Sequence, residues 1–458
     1  MKRKISIFII VTIILSLSLF TLIACGNGGN GGNGGNGGEE GEDLLSSLRL
    51  KDPVDYAEEV KFDTARFPAL AEQGLFWAKF DQDNLKIDLV KADADGAETL
   101  VDPNKPTIIY IHGLLSDTGR KGYEKFTLTD PIIKSPTFDF YDILNWDKEK
   151  NSDIELAALW IMQGWNVGLY QYNRFSDEEF GAINQAEGKI WGVGKQRNFL
   201  GMNFRNSQGS SVNHVSEYSL AEHFAGDYIR ATRKIEGFGN AEIRLAGHSL
   251  GGEFTVASMF LLTELVRVGQ LPLKVLPQRL ALLDPLFGAS FLEFGVLRLR
   301  FFYGFEVRWS GGRLIKDNIT DTMLAITNEF GANGIAVEVY AVNGNQTSVA
   351  VPFAVGESKG MVVCRMFTNY NDFTVGPYSV GESYSPYDGH TGIRDWYFLS
   401  LLHDKVKDTT TEGVTAFGPS ASLPTETLKS FIGTFFLQDQ GRTSVFSFDT
   451  TYKRVTAS

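Results

Sequence analysis

Residues 247–251 form a Gly-x-Ser-x-Gly pentapeptide between a short apolar run and a longer one, from Glu253 to Val268. This order is typical of a tight turn between a strand and a helix, which forces the central Ser249 into a strained backbone conformation. Glycine suits both flanking positions because a Cβ atom there would collide with the neighbouring strand or helix. The segment therefore predicts a serine hydroxyl near a helix N-terminus, where backbone N–H groups can meet developing negative charge.

A second match to the same pattern, at residues 356–360, acts as an internal control. It lies between two β-like runs, 348–355 and 361–367, and no helix-like run follows it. Its small and charged residues predict a hairpin turn. We therefore assign chemistry to Ser249 and none to Ser358.

The N-terminus has the pattern of an export signal. Basic residues 2–4 precede an apolar run, residues 5–24, that is long enough to span a membrane. A permanent transmembrane anchor is one interpretation of this run. Residues 22–25, Leu-Ile-Ala-Cys, are instead typical of bacterial lipoproteins, in which the cysteine is acylated and becomes the new N-terminus. We expect residues 1–24 to be a signal peptide and Cys25 to anchor the chain at the extracytoplasmic face of the cell membrane.

The residues that follow form a tether in this interpretation. Residues 25–43 begin with a Gly-Asn repeat and end in an acidic stretch, so they have no apolar face to bury. A Gly-rich coil of about 18 residues spans roughly 25 Å. We expect the catalytic domain at 44–410 and a C-terminal extension at 411–458, where the sequence indicates only an extra strand near 443–448.

The charge balance argues against polyanionic partners. The chain has 458 residues, and removal of the three basic signal residues leaves 40 Lys and Arg against 55 Asp and Glu, a net charge near −15. Such a chain is not expected to bind nucleic acid or to be attracted electrostatically to anionic lipid.

Cysteine, metal and cofactor patterns are sparse. Cys364 lies in a β-like run, so we expect a small core residue and no disulfide. No cluster of His, Cys and carboxylate residues has metal-ligand spacing, and no Gly-rich run precedes a phosphate-binding lysine. We expect neither a metal nor a cofactor.

Apolar strands alternate with helix-like runs along the body. Strands are predicted at 74–80, 85–90, 107–114, 165–172, 280–284 and 335–342, and helices at 154–164, 216–235, 253–268 and 320–330. Ser216 is the predicted N-cap of the second of these helices. This alternation predicts an α/β fold with a mainly parallel sheet and helices on both faces. The active site of such a sheet lies beyond the carboxyl ends of its strands. Residues 173–214 interrupt the pattern, either as a cap over the site or as a surface loop.

A catalytic serine requires a base and a carboxylate that orients it. Among six histidines, His390 lies in a turn-rich loop before a predicted helix at 394–403 and follows the acid in sequence. We therefore predict His390 as the base. Asp284, which ends the strand after the nucleophile, is the predicted acid. The alternatives are Asp388 as the acid and a turn or helix cap as the role of Asp284.

Four segments together resemble the α/β-hydrolase superfamily: His112-Gly113-Leu114, residues 247–251, Asp284-Pro285 and His390. More narrowly, they resemble its pancreatic-type lipase branch, in which the acid follows the strand after the nucleophile. The resemblance covers residues 106–403, without the disulfides or the cysteine-bounded lid of that branch. It implies Ser249 as nucleophile, His390 as general base and acid, and Asp284 as orienting carboxylate. By position, the backbone N–H groups of Leu114 and Leu250 would form the oxyanion hole.

These features predict a surface-anchored serine hydrolase that cleaves carboxylic esters in a lipase-like manner, through an acyl-serine intermediate. The predicted substrate is a small-molecule ester or a lipid. Two alternatives are a non-catalytic surface lipoprotein that uses the scaffold for binding, and a serine peptidase or amidase. The intact order of Ser, Asp and His argues against the first, and nothing in the sequence resembles a charged specificity pocket for the second.

Overall fold

The computed structural model describes the following residues: 45, 49–50, 54–81, 86–113, 156–176, 182–192, 201–206, 210–285, 293–294, 297–298, 319–342, 359–366, 374–375, 378–379, 386–403, 405–412, 416–440, 442–443 and 450–455. Cys25 and the rest of the predicted signal and tether lie outside these ranges. Within them, no helix has the length and hydropathy needed to cross a membrane.

A 12-stranded sheet organises the described part of the chain. Its strands are β1 (Gly74–Asp81), β2 (Lys86–Lys91), β3 (Thr107–Ile111), β4 (Asn166–Gln171), β7 (Ile243–His248), β8 (Arg279–Leu283), β11 (Ala336–Val342), β12 (Val362–Met366), β15 (Lys407–Asp408), β16 (Ala416–Phe417), β17 (Phe435–Gln440) and β19 (Thr451–Val455). Their order across the sheet is β16-β15-β19-β17-β12-β11-β8-β7-β3-β4-β1-β2. Short pairings outside it involve β5 (Phe204–Arg205), β6 (Ser211–Val212), β9 (Glu293–Phe294), β10 (Leu297–Arg298), β13 (Thr374–Val375), β14 (Tyr378–Ser379) and β18 (Arg442–Thr443). The strands expected at 74–80, 85–90, 107–114, 165–172, 280–284 and 335–342 are therefore present. The run at 348–355 and most of the one at 443–448 lie outside the described residues.

The centre of this sheet is parallel and its margins are mixed. Every neighbouring pair from β4 through β3, β7, β8, β11 and β12 to β17 is parallel. The pairs β1–β2, β1–β4, β17–β19 and β15–β16 are antiparallel. Because the carboxyl ends of the parallel strands share one edge, side chains that follow β3, β7 and β8 lie close together.

Helices cover both faces of the sheet, as the sequence predicts. They are α1 (Tyr56–Glu59), α2 (Leu156–Met162), α3 (Asn173–Ser176), α4 (Ala182–Trp191), α5 (Leu220–Arg233), α6 (Leu250–Arg267), α7 (Ile319–Ala332), α8 (Pro386–Leu399) and α9 (Thr425–Lys429). One apolar cluster joins the sheet to α5, α6 and α7, and a second joins it to α2, α8 and α9. Successive residues of β8 alternate between the two clusters: Leu280 and Leu282 belong to the first, Ala281 and Leu283 to the second.

Helix α5 begins later than the sequence suggests, and Ser216 is not its N-cap. The side chain of Ser219 accepts a hydrogen bond from the Glu222 N–H, and the Glu222 carboxylate accepts one from the Ser219 N–H. This capping box satisfies two N–H groups that an open helix end leaves without partners. Ser216 instead bonds through its hydroxyl to Nε2 of His223, at 2.6 Å.

The candidate cap region, 173–214, packs into the body where it is described. Phe175 of α3 and Trp191 of α4 are fully buried, and both belong to the same apolar cluster as α5 and α6. The indole N–H of Trp191 donates to the carboxylate of Glu253 on α6. Helices α3 and α4 of this region therefore pack into the core, whereas Ser210, Ser211, Asn213 and His214 are exposed.

The sequence prediction of a hairpin at 356–360 is wrong. Its second arm forms β12, and both edges of β12 are occupied by the parallel strands β11 and β17. A hairpin partner would need one of those edges. Ser358 and residues 348–355 lie outside the described ranges.

The part of the chain after residue 411 joins the main sheet. It contributes β16, β17 and β19, and β17 pairs directly with β12. It also supplies carbonyl oxygens of Ser420 and Leu423, which accept hydrogen bonds from the buried guanidinium of Arg279. Cys364 of β12 is a buried free thiol, as expected for a small core residue.

Candidate active site

Ser249 lies in the turn between β7 and α6, with φ 56° and ψ −125°. A positive φ is uncommon for a residue with a side chain, and such strain persists only where the surrounding structure holds it. The serine is half-buried, and its side chain makes no capping hydrogen bond to the helix that it precedes. The expected strained turn is therefore present, and the hydroxyl is not used to cap α6.

The flanking glycines are required by close backbone approach, as the sequence predicts. A Cβ added at Gly247 would lie 2.2 Å from the carbonyl oxygen of Gly251 and from Oγ1 of Thr255. One added at Gly251 would lie 2.3 Å from the carbonyl oxygens of Ile111 and His112. The first clash is with α6 and the second with the end of β3, so the two glycines allow the helix to start against its neighbouring strand.

The turn after β3 touches the serine directly. A Cβ added at Gly113 would lie 2.9 Å from Cβ of Ser249 and 3.1 Å from the carbonyl oxygen of His248. Leu250 is the first residue of α6, and N–H groups in the first turn of a helix have no partner within it. Leu114, the other predicted oxyanion donor, lies outside the described residues.

His112 is buried and neutral, and its hydrogen bonds hold this turn in place. Its Nδ1–H donates to the carbonyl oxygen of Gly113 at 2.7 Å, and its Nε2 accepts from the N–H of Tyr172 at 3.2 Å. The Tyr172 hydroxyl donates to the His112 carbonyl oxygen at 2.7 Å, and the two rings stack at 4.2 Å. Burial lowers the pKa of His112 to about 4, although its bond to Gly113 opposes the shift. His112 therefore fixes the loop and is not a base at neutral pH.

Asp284 leaves the sheet beside the serine. The N–H of Ser249 donates to the carbonyl oxygen of Leu283 at 3.0 Å, and Asp284 is the next residue. Asp284 has φ 43°, is 3% exposed, and donates its own N–H to the carbonyl oxygen of Tyr340 at 2.7 Å. The strand ends before Pro285, as expected. Asp284 thus follows the end of β8, the strand next to β7, and lies at the same edge of the sheet as Ser249.

His390 lies in helix α8, so its predicted placement in a loop is wrong. Pro386 opens this helix, because its fixed φ suits a first helical position and its missing N–H removes no helical bond. The helix ends at Leu399 instead of continuing to His403. The side chains of His390 and of the alternative acid Asp388 lie outside the described residues.

The direction of α8 places its first turns, which include the backbone of His390, toward the carboxyl edge of the sheet. At the C-terminal end of the helix, Oγ of Ser400 accepts from the N–H of Ala421 at 2.9 Å. The carbonyl oxygen of Ala421 accepts from Arg244, near the amino end of β7, at 2.7 Å. Since the end of α8 lies at the amino edge, its first turns extend toward the carboxyl edge, where Ser249 and Asp284 lie.

His223 has a structural role. It is buried, stacks on Phe62 with ring centroids 3.7 Å apart, and bonds to Ser216. Burial, reinforced by the charges of Arg230 and Lys91, lowers the pKa of His223 to about 3. In the described part of the chain, no group of three or more His, Cys, Asp and Glu side chains could hold a metal ion.

No protein-family model matches this sequence, and no curated protein matches it. Solved structures that it resembles include the poly(3-hydroxybutyrate) depolymerase LpqC from Bordetella parapertussis, at 12% identity and a TM-score of 0.25, over 66% of this chain and 75% of that one. Est1E from Butyrivibrio proteoclasticus is 12% identical with a TM-score of 0.24, over 58% and 80% of the two chains. The Bacillus licheniformis lipase BlEst2 is 13% identical with a TM-score of 0.22, over 54% and 71%.

The topology of the chain identifies its fold. A parallel sheet with helices on both faces carries a strained serine between the central strand β7 and helix α6. The turn after β3 contacts that serine, and an aspartate follows the adjacent strand β8. A strand–serine–helix turn beside the end of the neighbouring parallel strand is the arrangement typical of the α/β-hydrolase fold. The chain has an α/β-hydrolase fold.

Proposed function

We propose that this protein is a serine hydrolase that cleaves carboxylic esters through an acyl-serine intermediate, with Ser249, His390 and Asp284 as its triad. The observation that carries the proposal is the backbone of Ser249, with φ 56° in a turn where added Cβ atoms at the flanking positions would clash. Such a conformation costs roughly 1–3 kcal/mol, and strain of this kind clusters at functional sites.

In the acylation step, His390 takes the proton of the Ser249 hydroxyl as Oγ attacks the ester carbonyl carbon. The carbonyl oxygen becomes an oxyanion, which the N–H groups of Leu250 and Leu114 stabilise. The tetrahedral intermediate then collapses: its C–O bond to the alcohol breaks, and the alcohol leaves with the proton from His390. Asp284 orients the imidazole and stabilises its charged form throughout.

Deacylation repeats these steps with water. His390 removes a proton from a water molecule that attacks the acyl-serine carbonyl, and the same N–H groups bind the second oxyanion. The Ser249 oxygen leaves with that proton, and the carboxylic acid is released. The neutral His112 takes no part in these proton transfers, because both of its ring nitrogens are hydrogen-bonded to the backbone, at Gly113 and Tyr172.

The substrate class is a small-molecule ester or a lipid, and the activity is lipase-like. The support is the aspartate after the strand that follows the nucleophile, the arrangement by which the four segments resemble the pancreatic-type branch. The preferred length of the substrate's acyl chain distinguishes an esterase from a lipase. We expect hydrolysis of p-nitrophenyl esters over a series of acyl lengths, with the preferred length reporting the acyl pocket.

The decisive comparison uses the chain's own two pentapeptides. Ser249→Ala should lower kcat by about 10³-fold or more, since residual activity without a nucleophile comes from binding and the oxyanion hole alone. Ser358→Ala, in the second match to the pattern, should retain wild-type kcat. Full activity in Ser249→Ala, or no ester hydrolysis by the folded wild-type protein, would contradict the proposal.

The anchoring at the cell membrane belongs to the same proposal. Its support is the apolar run at residues 5–24 followed by Leu-Ile-Ala-Cys at 22–25. Cells fed a clickable fatty acid should label the wild-type protein, and the protein should partition into detergent. Cys25→Ser should lose the label. Label retention in that variant would show that Cys25 is not the acylated residue.

A further inference from the structure

Arg365 is a cation within an otherwise apolar central strand. Its neighbours Val363, Cys364 and Met366 are all fully buried, and Arg365 itself is half-buried. A charge in such a place is costly unless an opposite charge lies close to it. The position of Arg365 therefore points to an anionic partner near the same strand.

Strand register brings Arg365 level with Asp284. Tyr340 of β11 pairs with Leu283 on one side and with Cys364 on the other. Asp284 and Arg365 are the next residues on the two strands that flank β11. Strands separated by one intervening strand lie about 10 Å apart, which an arginine side chain and a carboxylate can bridge.

The side-chain alternation of β12 agrees with this placement. Val363 belongs to the apolar cluster under α6 and α7, whereas Cys364 and Met366 belong to the opposite cluster. Arg365 therefore faces the side of α6, the helix that starts at Ser249. Ala341, its partner on β11, belongs to the same face.

The two groups also interact electrostatically. Burial lowers the pKa of Arg365, and the negative charge of Asp284 opposes that shift. Asp284 is 3% exposed, so water screens its charge little. A nearby guanidinium thus offsets a buried carboxylate at the carboxyl edge of the sheet.

We propose that Arg365 is a positioning residue of the triad, whose guanidinium offsets the buried charge of Asp284 and restrains its carboxylate beside His390. This inference rests on the proposed function. Removal of the guanidinium charge makes the surroundings of the imidazole more negative, so the imidazole binds its proton more tightly. The acidic limb of the pH profile of kcat/KM should then move to higher pH. The reason is that His390 can accept a proton only when it is unprotonated, which requires a pH above its pKa.

The first test compares pH profiles of ester hydrolysis for three variants. Arg365→Gln should move the acidic limb upward by about one pH unit, the order expected for a unit charge several ångströms away near a protein surface. Arg365→Lys should restore most of the wild-type position. Arg454→Gln is the matched control, because Arg454 pairs with Asp408 on strands far from β8 in the same sheet. A limb that does not move in Arg365→Gln, or that moves equally in Arg454→Gln, would overturn the role.

The second test does not need catalysis. Thermal unfolding of Arg365→Gln, Asp284→Asn and the double variant forms a double-mutant cycle. The loss of Tm caused by Arg365→Gln should be clearly smaller in the Asp284→Asn background. Additive losses would overturn the interaction whether or not the wild type hydrolyses esters. Coupled losses with an inactive wild type would refute the proposed function and leave the pair structural, which also overturns the positioning role.

Discussion

The backbone N–H of Ser249 donates to the carbonyl oxygen of Leu283 at 3.0 Å, which ties the turn between β7 and α6 to the end of the adjacent strand. Asp284 follows immediately. Ser249 and Asp284 both have positive φ, 56° and 43°, and among the described non-glycine residues only His214 shares this property. Backbone strain in the described chain is therefore concentrated where the proposed nucleophile and acid leave the sheet.

Gly113→Ala should damage catalysis more than stability. Its Cβ would lie 2.9 Å from Cβ of Ser249, so either the serine or the turn after β3 must move. Displacements of this size at an active site cost on the order of 10²-fold in rate. The measurement is kcat/KM on an ester, corrected for the active fraction.

Gly168→Ala is the control for this prediction. The added Cβ would lie 2.8 Å from the Trp77 ring, away from the site, so the variant should have a lower Tm with little change in kcat/KM. Equal rate losses in both variants would contradict this account.

His223 should make the fold sensitive to acid. Its folded pKa of about 3 lies below the ordinary value of 6.5, so the unfolded chain binds a proton that the folded one excludes. Stability is then lost as pH falls below 6.5, by roughly 2–3 kcal/mol at pH 4.5. His223→Gln, which keeps a polar group near Ser216, should unfold with a shallower dependence on pH between 7 and 4.5. Parallel curves for the two proteins in urea titrations would refute this role.

Glu187 should have the opposite effect on pH dependence. It is buried near Glu253, and burial raises its pKa to about 7 from an ordinary 4.5. The folded chain thus binds a proton that the unfolded chain releases, so the contribution of Glu187 to stability is largest at low pH and declines as the pH rises from about 4.5 to about 7. Glu187→Gln should remove this decline, whereas Glu236→Gln, at an exposed position, should not. An unchanged slope of unfolding free energy between pH 5 and 8 in Glu187→Gln would disprove the assignment.

Arg279 and Glu338 form a buried pair, with Nε to Oε1 at 2.7 Å and both side chains fully buried. Glu338 also accepts from the hydroxyls of Tyr340 and Tyr397. Arg279→Met leaves the buried carboxylate of Glu338 without an opposite charge, which should lower the free energy of unfolding by about 3–5 kcal/mol. Arg279→Met with Glu338→Leu should recover part of this loss, since no uncompensated charge remains. A double variant that is as unstable as the sum of both single variants would contradict the pairing.

Local patterns were sufficient to predict the strands and the elbow. Strands such as β3, β7 and β8 are buried on both faces, so they appear in the sequence as continuous apolar runs. The elbow follows from the need for glycine at positions 247 and 251, which is a local steric property.

The start of α5 is predicted wrongly from a local pattern: Ser219 and Glu222 have the spacing of a capping box, which the sequence contains, and Ser216 does not cap the helix. Other features are decided by tertiary contacts and cannot be predicted locally. The insertion of β17 beside β12 depends on long-range pairing that has no local signature. Arg365 could have been noticed as a cation within an apolar run, but its nearness to Asp284 follows only from strand register.

The central claim is that Ser249 is an activated nucleophile, and a fluorophosphonate probe tests it most directly. The folded protein is labelled, digested and mapped by mass spectrometry, with Ser249→Ala and heat-denatured wild type as controls. We predict one adduct, on the peptide that contains Ser249, absent from both controls. A folded wild-type protein that is not labelled, or that is labelled elsewhere with Ser249 unmodified, would contradict the account.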